Sequence, residues 1–180
     1  MNKPAANTQL TANSQPPTAQ NIWQLLEEVA DPEVPVLSIL DLGIVRGVRV
    51  TEVGQVHVTI TPTYSGCPAM SAIATEIRLR LLAEGITDLQ IHNQLSPAWT
   101  TGWMSAAGRQ KLEDYGIAPP VDGTATGHML NLFGEDTAVR CPLCKSDNTH
   151  LVSQFGSTAC KAHYQCDDCL EPFDYFKCHA

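Results

Sequence analysis

The chain has no run approaching the ~18 consecutive apolar residues of a membrane-spanning helix, so no transmembrane segment is expected. It is short of positive charge: 11 Lys and Arg stand against 19 Asp and Glu, a net charge of -8. A surface that neutralises phosphates must be basic, which excludes nucleic acid as the expected partner. Its first residues, MNKPAANTQLTANSQPPTAQ, carry one lysine and no apolar core, so they do not read as a secretory signal. Residues 1–17 read instead as a disordered polar tail. Internal repeats are absent. Cysteine is also missing between residues 68 and 140.

What is present is unevenly placed. Of 7 cysteines, Cys67 stands alone and the others fall between Cys141 and Cys178. With no export signal, this points to a reducing, cytoplasmic setting and to metal ligation rather than disulfides.

Hydrophobic periodicity supplies the frame. Ile22, Leu25, Leu26 and Val29 form one apolar stripe, predicting a helix over 18–30 that Asp31-Pro32 ends. DPEVPVLSILDLGIV (31–45) holds too many prolines for a helix and reads as an ordered loop entering a strand. Alternation over 44–50 and 55–61 predicts a hairpin. Ile73, Ile77 and Leu81 predict a helix over 68–84 with Gly85 as its C′ residue. A third strand is expected over 89–95, then a short helix ending at Gly116. The expected fold class is α+β: an αββαβ domain over 18–117, a linker over 118–139, and a cysteine-rich module over 140–180.

Cys141-x-x-Cys144 and Cys166-x-x-Cys169 are separated by 21 residues. Two such knuckles on a hairpin complete a tetrahedral four-sulfur site, the pattern of a zinc ribbon. Four thiolates leave no open position, so the metal is expected to hold the fold, which a module of this size needs. Zinc is the default ion and a rubredoxin-like iron the competing reading, which the spacing does not separate. Arg140, Lys145, Lys161 and Lys177 face five acidic residues in this module, which again disfavours nucleic acid. Cys160 and Cys178, with His163 and His179, match no ligand spacing; they read as residues packed or exposed near the ribbon rather than as a second metal site, with a redox pair of Cys160 and Cys178 left open.

TPTYSGCPAM (61–70) puts Cys67 where strand passes to helix. With Pro68 at the first helical position, Cys67 is expected at the N-cap, where the helix dipole favours thiolate. A small buried cysteine filling the turn explains the position equally well. Nucleophilic catalysis would need a base, and neither His57 nor His92 has a motif tying it to Cys67. Asp31, Glu33 and Asp41 lie in the preceding loop. A hard carboxylate beside a soft thiolate suits iron, although turn formation and solvation account for these acids as well.

DPEVPVLSILDLGIVRGV (31–48) followed by TPTYSGCPAM resembles the small domain of the iron–sulfur assembly factors that includes the SufT-like proteins. With PAWTTGWMSAAGRQKLEDYGIAPP (97–120) and the cysteine-rich tail, the chain looks like the phenylacetate-degradation members of that family, over roughly residues 20–178. The resemblance implies an assembly-type αβ fold with Cys67 as the functional cysteine, holding iron or a cluster transiently, alone or across a homodimer. It implies an accessory protein without catalysis of its own, serving the multicomponent oxygenase that epoxidises phenylacetyl-CoA. The implied client is that system's iron–sulfur reductase. The alternative is a stoichiometric structural or electron-transfer subunit of the oxygenase.

Overall fold

A computed structural model describes residues 17–121 and 139–177. The expected tail over 1–17 apart from residue 17, most of the expected linker, and Cys178 and His179 lie outside the described residues.

The first helix, α1 (Ala19–Glu27), starts where Thr18 caps it. The Thr18 hydroxyl accepts from the Asn21 N–H at 3.2 Å, and the Asn21 side chain accepts from the Thr18 N–H. Two amides that helix geometry leaves unpaired are thereby satisfied. The helix buries Ile22 and Leu26 and stops three residues before the expected end. Ala30 instead forms an isolated bridge with Ser38, and the Val29 carbonyl accepts from the Ile39 N–H.

The 31–44 segment is an ordered loop with its own core. Val34, Leu37, Ile39, Leu42 and Ile44 are all buried. Buried backbone needs partners, and the acids supply several of them. Asp31 Oδ1 accepts from the Glu33 and Val34 N–H groups at 2.9 and 2.8 Å, and Asp41 accepts from the Ser38 N–H.

Strands β1 (Val45–Val50) and β2 (Val56–Ile60) pair antiparallel, with Gly54 at φ +84° in the turn. Helix α2 (Ala69–Ala83) then crosses over to β3 (Leu89–Asn93), which pairs parallel with β2. Ala69, Ile73, Ile77 and Leu81 line the buried face of α2 and join one core with Ile22, Leu26, Val56, Val58 and Ile60. Gly85, at φ +81°, ends the helix as its sequence position predicts. The αββαβ order is therefore the one expected.

Helix α3 (Ala106–Asp114) is capped by Ser105, whose hydroxyl accepts from the Gly108 N–H at 2.8 Å. Directly after it the chain forms a short strand, β4 (Ile117–Ala118). This strand belongs to the second sheet, which also contains β5 (Thr149–Ser153), β6 (Lys161–Cys166) and β7 (Pro172–Phe176) in the order β4-β7-β6-β5. Ala118, taken from the sequence as the start of the linker, is thus a paired strand residue opposite Tyr175.

The two modules share apolar contacts. Phe176 and Cys160, which belong by sequence to the cysteine-rich module, pack in the core of the first domain. Phe176 meets Trp99 edge to face at 6.3 Å between ring centroids. Trp99 is fixed in turn by donating its indole N–H to the Leu42 carbonyl at 2.7 Å. Lys145 reaches across to Glu113 at 2.6 Å.

Candidate functional sites

The four ribbon thiols converge as the spacing predicts. All four sulfurs of Cys141, Cys144, Cys166 and Cys169 lie within 4.8 Å of one another. Cys141 and Cys169 are 3.8 Å apart, Cys144 and Cys166 3.5 Å. A tetrahedron with metal–sulfur bonds of about 2.3 Å has edges of about 3.8 Å, so the sulfurs already have the separation that one ion requires. The knuckles are built alike. Lys145 and Leu170, each directly after the second cysteine of its pair, take positive φ of 66° and 63°. That turn aims amides at the sulfurs, and the Cys169 N–H is the main cause that brings the Cys166 thiol down to about 7. Asp168 in the second knuckle accepts from Asn148 at 2.8 Å and from the Ser146 hydroxyl, so it ties the knuckles together.

The second candidate site surrounds Cys67. Helix α2 begins one residue later than expected: Pro68 is its cap, and Cys67 lies outside it. The predicted lowering of the thiol pKa is also overturned. Burial pushes the half-buried Cys67 thiol up, and the charges of Glu33 and Asp31 push it further. The Ala69 N–H and the Thr63 hydroxyl oppose this without overcoming it. In the absence of a metal Cys67 is therefore a protonated thiol, and a metal must displace its proton to bind.

Of the three loop acids, two are electrostatic neighbours of Cys67. Asp31 is buried, and burial holds its carboxyl above the ordinary value despite the two amides it accepts from. Glu33 faces the Cys160 thiol, with 3.3 Å from Sγ to Oε2. Asp41 is differently employed. Its carboxylate accepts from Lys111 Nζ at 2.6 Å, from the Ser105 hydroxyl at 3.0 Å and from Ser38. Burial opposes its ionisation, but these donors win and hold its carboxyl below the usual range. Asp41 is therefore a latch between the loop and α3.

Cys160 is a packing residue, but it packs away from the ribbon's own core. It is buried among first-domain residues, and burial drives its thiol up to about 12. Its contact with Glu33 spans 127 positions, a distance over which no local pattern speaks. His57 and His92 also meet, with stacked rings and 3.0 Å between Nδ1 and Nε2, on the sheet rather than at Cys67. No described helix is long and apolar enough to cross a membrane.

Comparison with known proteins assigns both modules. Residues 19–84 match the family described as iron-sulfur cluster assembly protein, and residues 125–177 match the PaaD zinc beta ribbon domain. The Cys141, Cys144, Cys166 and Cys169 cluster is accordingly a structural zinc site. A putative 1,2-phenylacetyl-CoA epoxidase subunit of Escherichia coli (strain K12) is 49% identical over 171 residues, covering 94% of this chain and 99% of that protein. An Fe-S protein maturation auxiliary factor of Bacillus subtilis (strain 168), YitW, is 40% identical over 88 residues, 48% of this chain and 84% of the other. Among solved structures, a domain of unknown function DUF59 from Bacillus anthracis matches at TM-score 0.49 and 27% identity, over 52% of this chain and 90% of that one. This chain belongs to the PaaD family, that of the Escherichia coli epoxidase protein, in which an iron–sulfur cluster assembly domain carries a zinc beta ribbon.

Proposed function

We propose that this protein is an accessory factor of phenylacetate catabolism that assists iron–sulfur cluster assembly on, or delivery to, the reductase component of the phenylacetyl-CoA epoxidase. Iron, or a cluster, is its cargo. The observation that carries this reading is the placement of Cys67 within the field of Glu33 and Asp31, in a domain of the iron–sulfur assembly type. A soft sulfur beside hard carboxylates suits iron(II). The half-exposed thiol leaves its ligand reachable by a client, as transient handling demands. The ribbon's zinc, closed off by four sulfurs, has a structural role and supplies no reactive position.

The rival assignment is a stoichiometric subunit of the oxygenase, which the name of the Escherichia coli relative favours. Cluster transfer in vitro separates the two. Protein carrying iron and sulfide is mixed anaerobically with the cluster-free reductase, and the reductase is re-isolated. Gain of cluster by the reductase, lost with Cys67→Ser, supports maturation. Absence of transfer, together with stable co-purification in the oxygenase complex, supports the subunit role.

A further inference from the structure

Strands β2 and β3 run parallel, and α2 between them completes one β–α–β unit. In open α/β sheets ligands bind in the crevice beyond the carboxyl ends of such strands. Here the chain leaves β2 into residues 61–65 and leaves β3 into residues 95–99. Between the two loops lies a cleft of about 160 Å³, lined on one side by residues 61–65 and on the other by Leu95, Ala98 and Trp99. Cys67 is tied to the first wall: its N–H donates to the Tyr64 carbonyl at 3.1 Å.

Three observations define what fits. The volume is far below the roughly 300 Å³ at which pockets for cofactors and drug-sized ligands begin. It is close to the ~150 Å³ of a cavity that takes up a single benzene. No lining residue is charged, so an ion, a phosphate or a carboxylate would lose its hydration with no counter-charge in return. Finally, Thr61 is 1% exposed, and its buried hydroxyl has no hydrogen-bond partner among the described residues. Buried hydroxyls are nearly always paired, so this one calls for a polar atom brought by whatever fills the cleft. The Trp99 indole N–H is already bonded to the Leu42 carbonyl. A single aromatic ring carrying one hydroxyl meets all three conditions, and that is the side chain of tyrosine.

Leu95 indicates a protein rather than a small molecule. It is 62% exposed, an apolar rim that a ligand inside the cleft leaves wet and a docked protein covers. Protein interfaces are anchored by a few residues set in pockets, with tyrosine prominent among them. We propose that the cleft is the docking site for a tyrosine side chain of the client protein, which sets the client over Cys67. The inference rests on the iron-handling reading of Cys67, because a client that takes cargo from that thiol must close over the same loop.

The probe is p-cresol, the tyrosine side chain as a free molecule, with toluene as the counterpart that lacks the hydroxyl. Each is titrated into the zinc-loaded full chain labelled with nitrogen-15, and amide signals are followed by NMR. The expected result is saturable shifts in residues 61–65, in Leu95 and Ala98, and in the Trp99 indole. Binding of p-cresol should be about fivefold tighter than that of toluene, the effect of one net hydrogen bond. Thr61→Val keeps the shape of the side chain and should erase that preference. Saturating p-cresol should weaken binding of the cluster-free reductase at least ~10-fold, the mark of competition for an anchor pocket. Equal binding of the two probes, or no saturable shift in the cleft, overturns the tyrosine site. Binding of p-cresol with reductase affinity unchanged overturns client docking, as does a dimer of this chain that p-cresol dissociates. Cys67→Ser tells this inference apart from the reading beneath it. That variant should bind p-cresol and reductase normally while cluster transfer stops; normal transfer would remove the iron-handling reading, and loss of reductase binding would overturn docking through the cleft.

Discussion

The thiol of Cys160, in the zinc ribbon, lies 3.3 Å from the carboxylate of Glu33, in the proline-rich loop of the assembly domain. This contact joins the two modules. Because Phe176 and Cys160 sit in the first domain's core, the ribbon is part of what stabilises that domain.

Phe176 measures this dependence. It is 2% exposed and packs against Trp99. Phe176→Ala should cost about 3–5 kcal/mol, the usual range for emptying a buried aromatic site. The zinc ligands lie in the knuckles, away from this contact, so zinc content should stay unchanged. Denaturant unfolding followed by zinc analysis checks both expectations. A loss below ~1 kcal/mol would mean that the modules are energetically independent.

Removing the zinc should act at longer range. Cys166→Ser deletes one of four ligands and leaves the ribbon without its staple, since a structural zinc contributes its binding free energy to folding. The ribbon should unfold at ambient temperature, and residues 18–116 should then melt at a lower temperature than in the intact protein. A fragment ending at Gly116 should match that lowered value. Its circular dichroism should keep the αββαβ signature, because the β1-β2-β3 sheet and its helices are complete without the ribbon.

Asp41 gives a pH-dependent prediction. Lys111, Ser105 and Ser38 hold its carboxyl below the ordinary value, so the folded state binds the carboxylate proton less readily than the unfolded state. Its stabilisation is fully present above the ordinary carboxylate pKa and is lost as the pH falls through the lower, folded value. Asp41→Asn should therefore destabilise by about 1–3 kcal/mol at neutral pH. The difference from the unmodified protein should vanish on acidification through that range. Chemical unfolding of both proteins along a pH series measures it; a difference independent of pH would remove the charge from the explanation.

The fold and the zinc site were legible in the sequence for physical reasons. Ile73, Ile77 and Leu81 repeat at the helical period, Val56, Val58 and Ile60 alternate, and the paired CxxC knuckles carry a spacing that only a tetrahedral ion explains well. Cys67 stood out by its isolation, but its electrostatics did not. A helix N-terminus stabilises a thiolate, yet burial and two nearby carboxylates outweigh it here. Asp41 shows a similar limit: as a loop acid it looked equivalent to Asp31 and Glu33, and its bond to Lys111 spans 70 positions. Most remote of all was Cys160, whose partner lies in the other module.

The central claim is that Cys67 handles iron for a client without being needed for the fold. Cys67 lies outside α2, and a serine hydroxyl can accept from the Ala69 N–H in place of the sulfur, so Cys67→Ser should change stability by about 1 kcal/mol or less and leave the ribbon zinc in place. The decisive measurement is the iron and sulfide content of the oxygenase reductase purified from cells carrying Cys67→Ser. The account predicts a reductase present at normal amount but short of its cluster, with slowed growth on phenylacetate. A fully loaded reductase from those cells would contradict it.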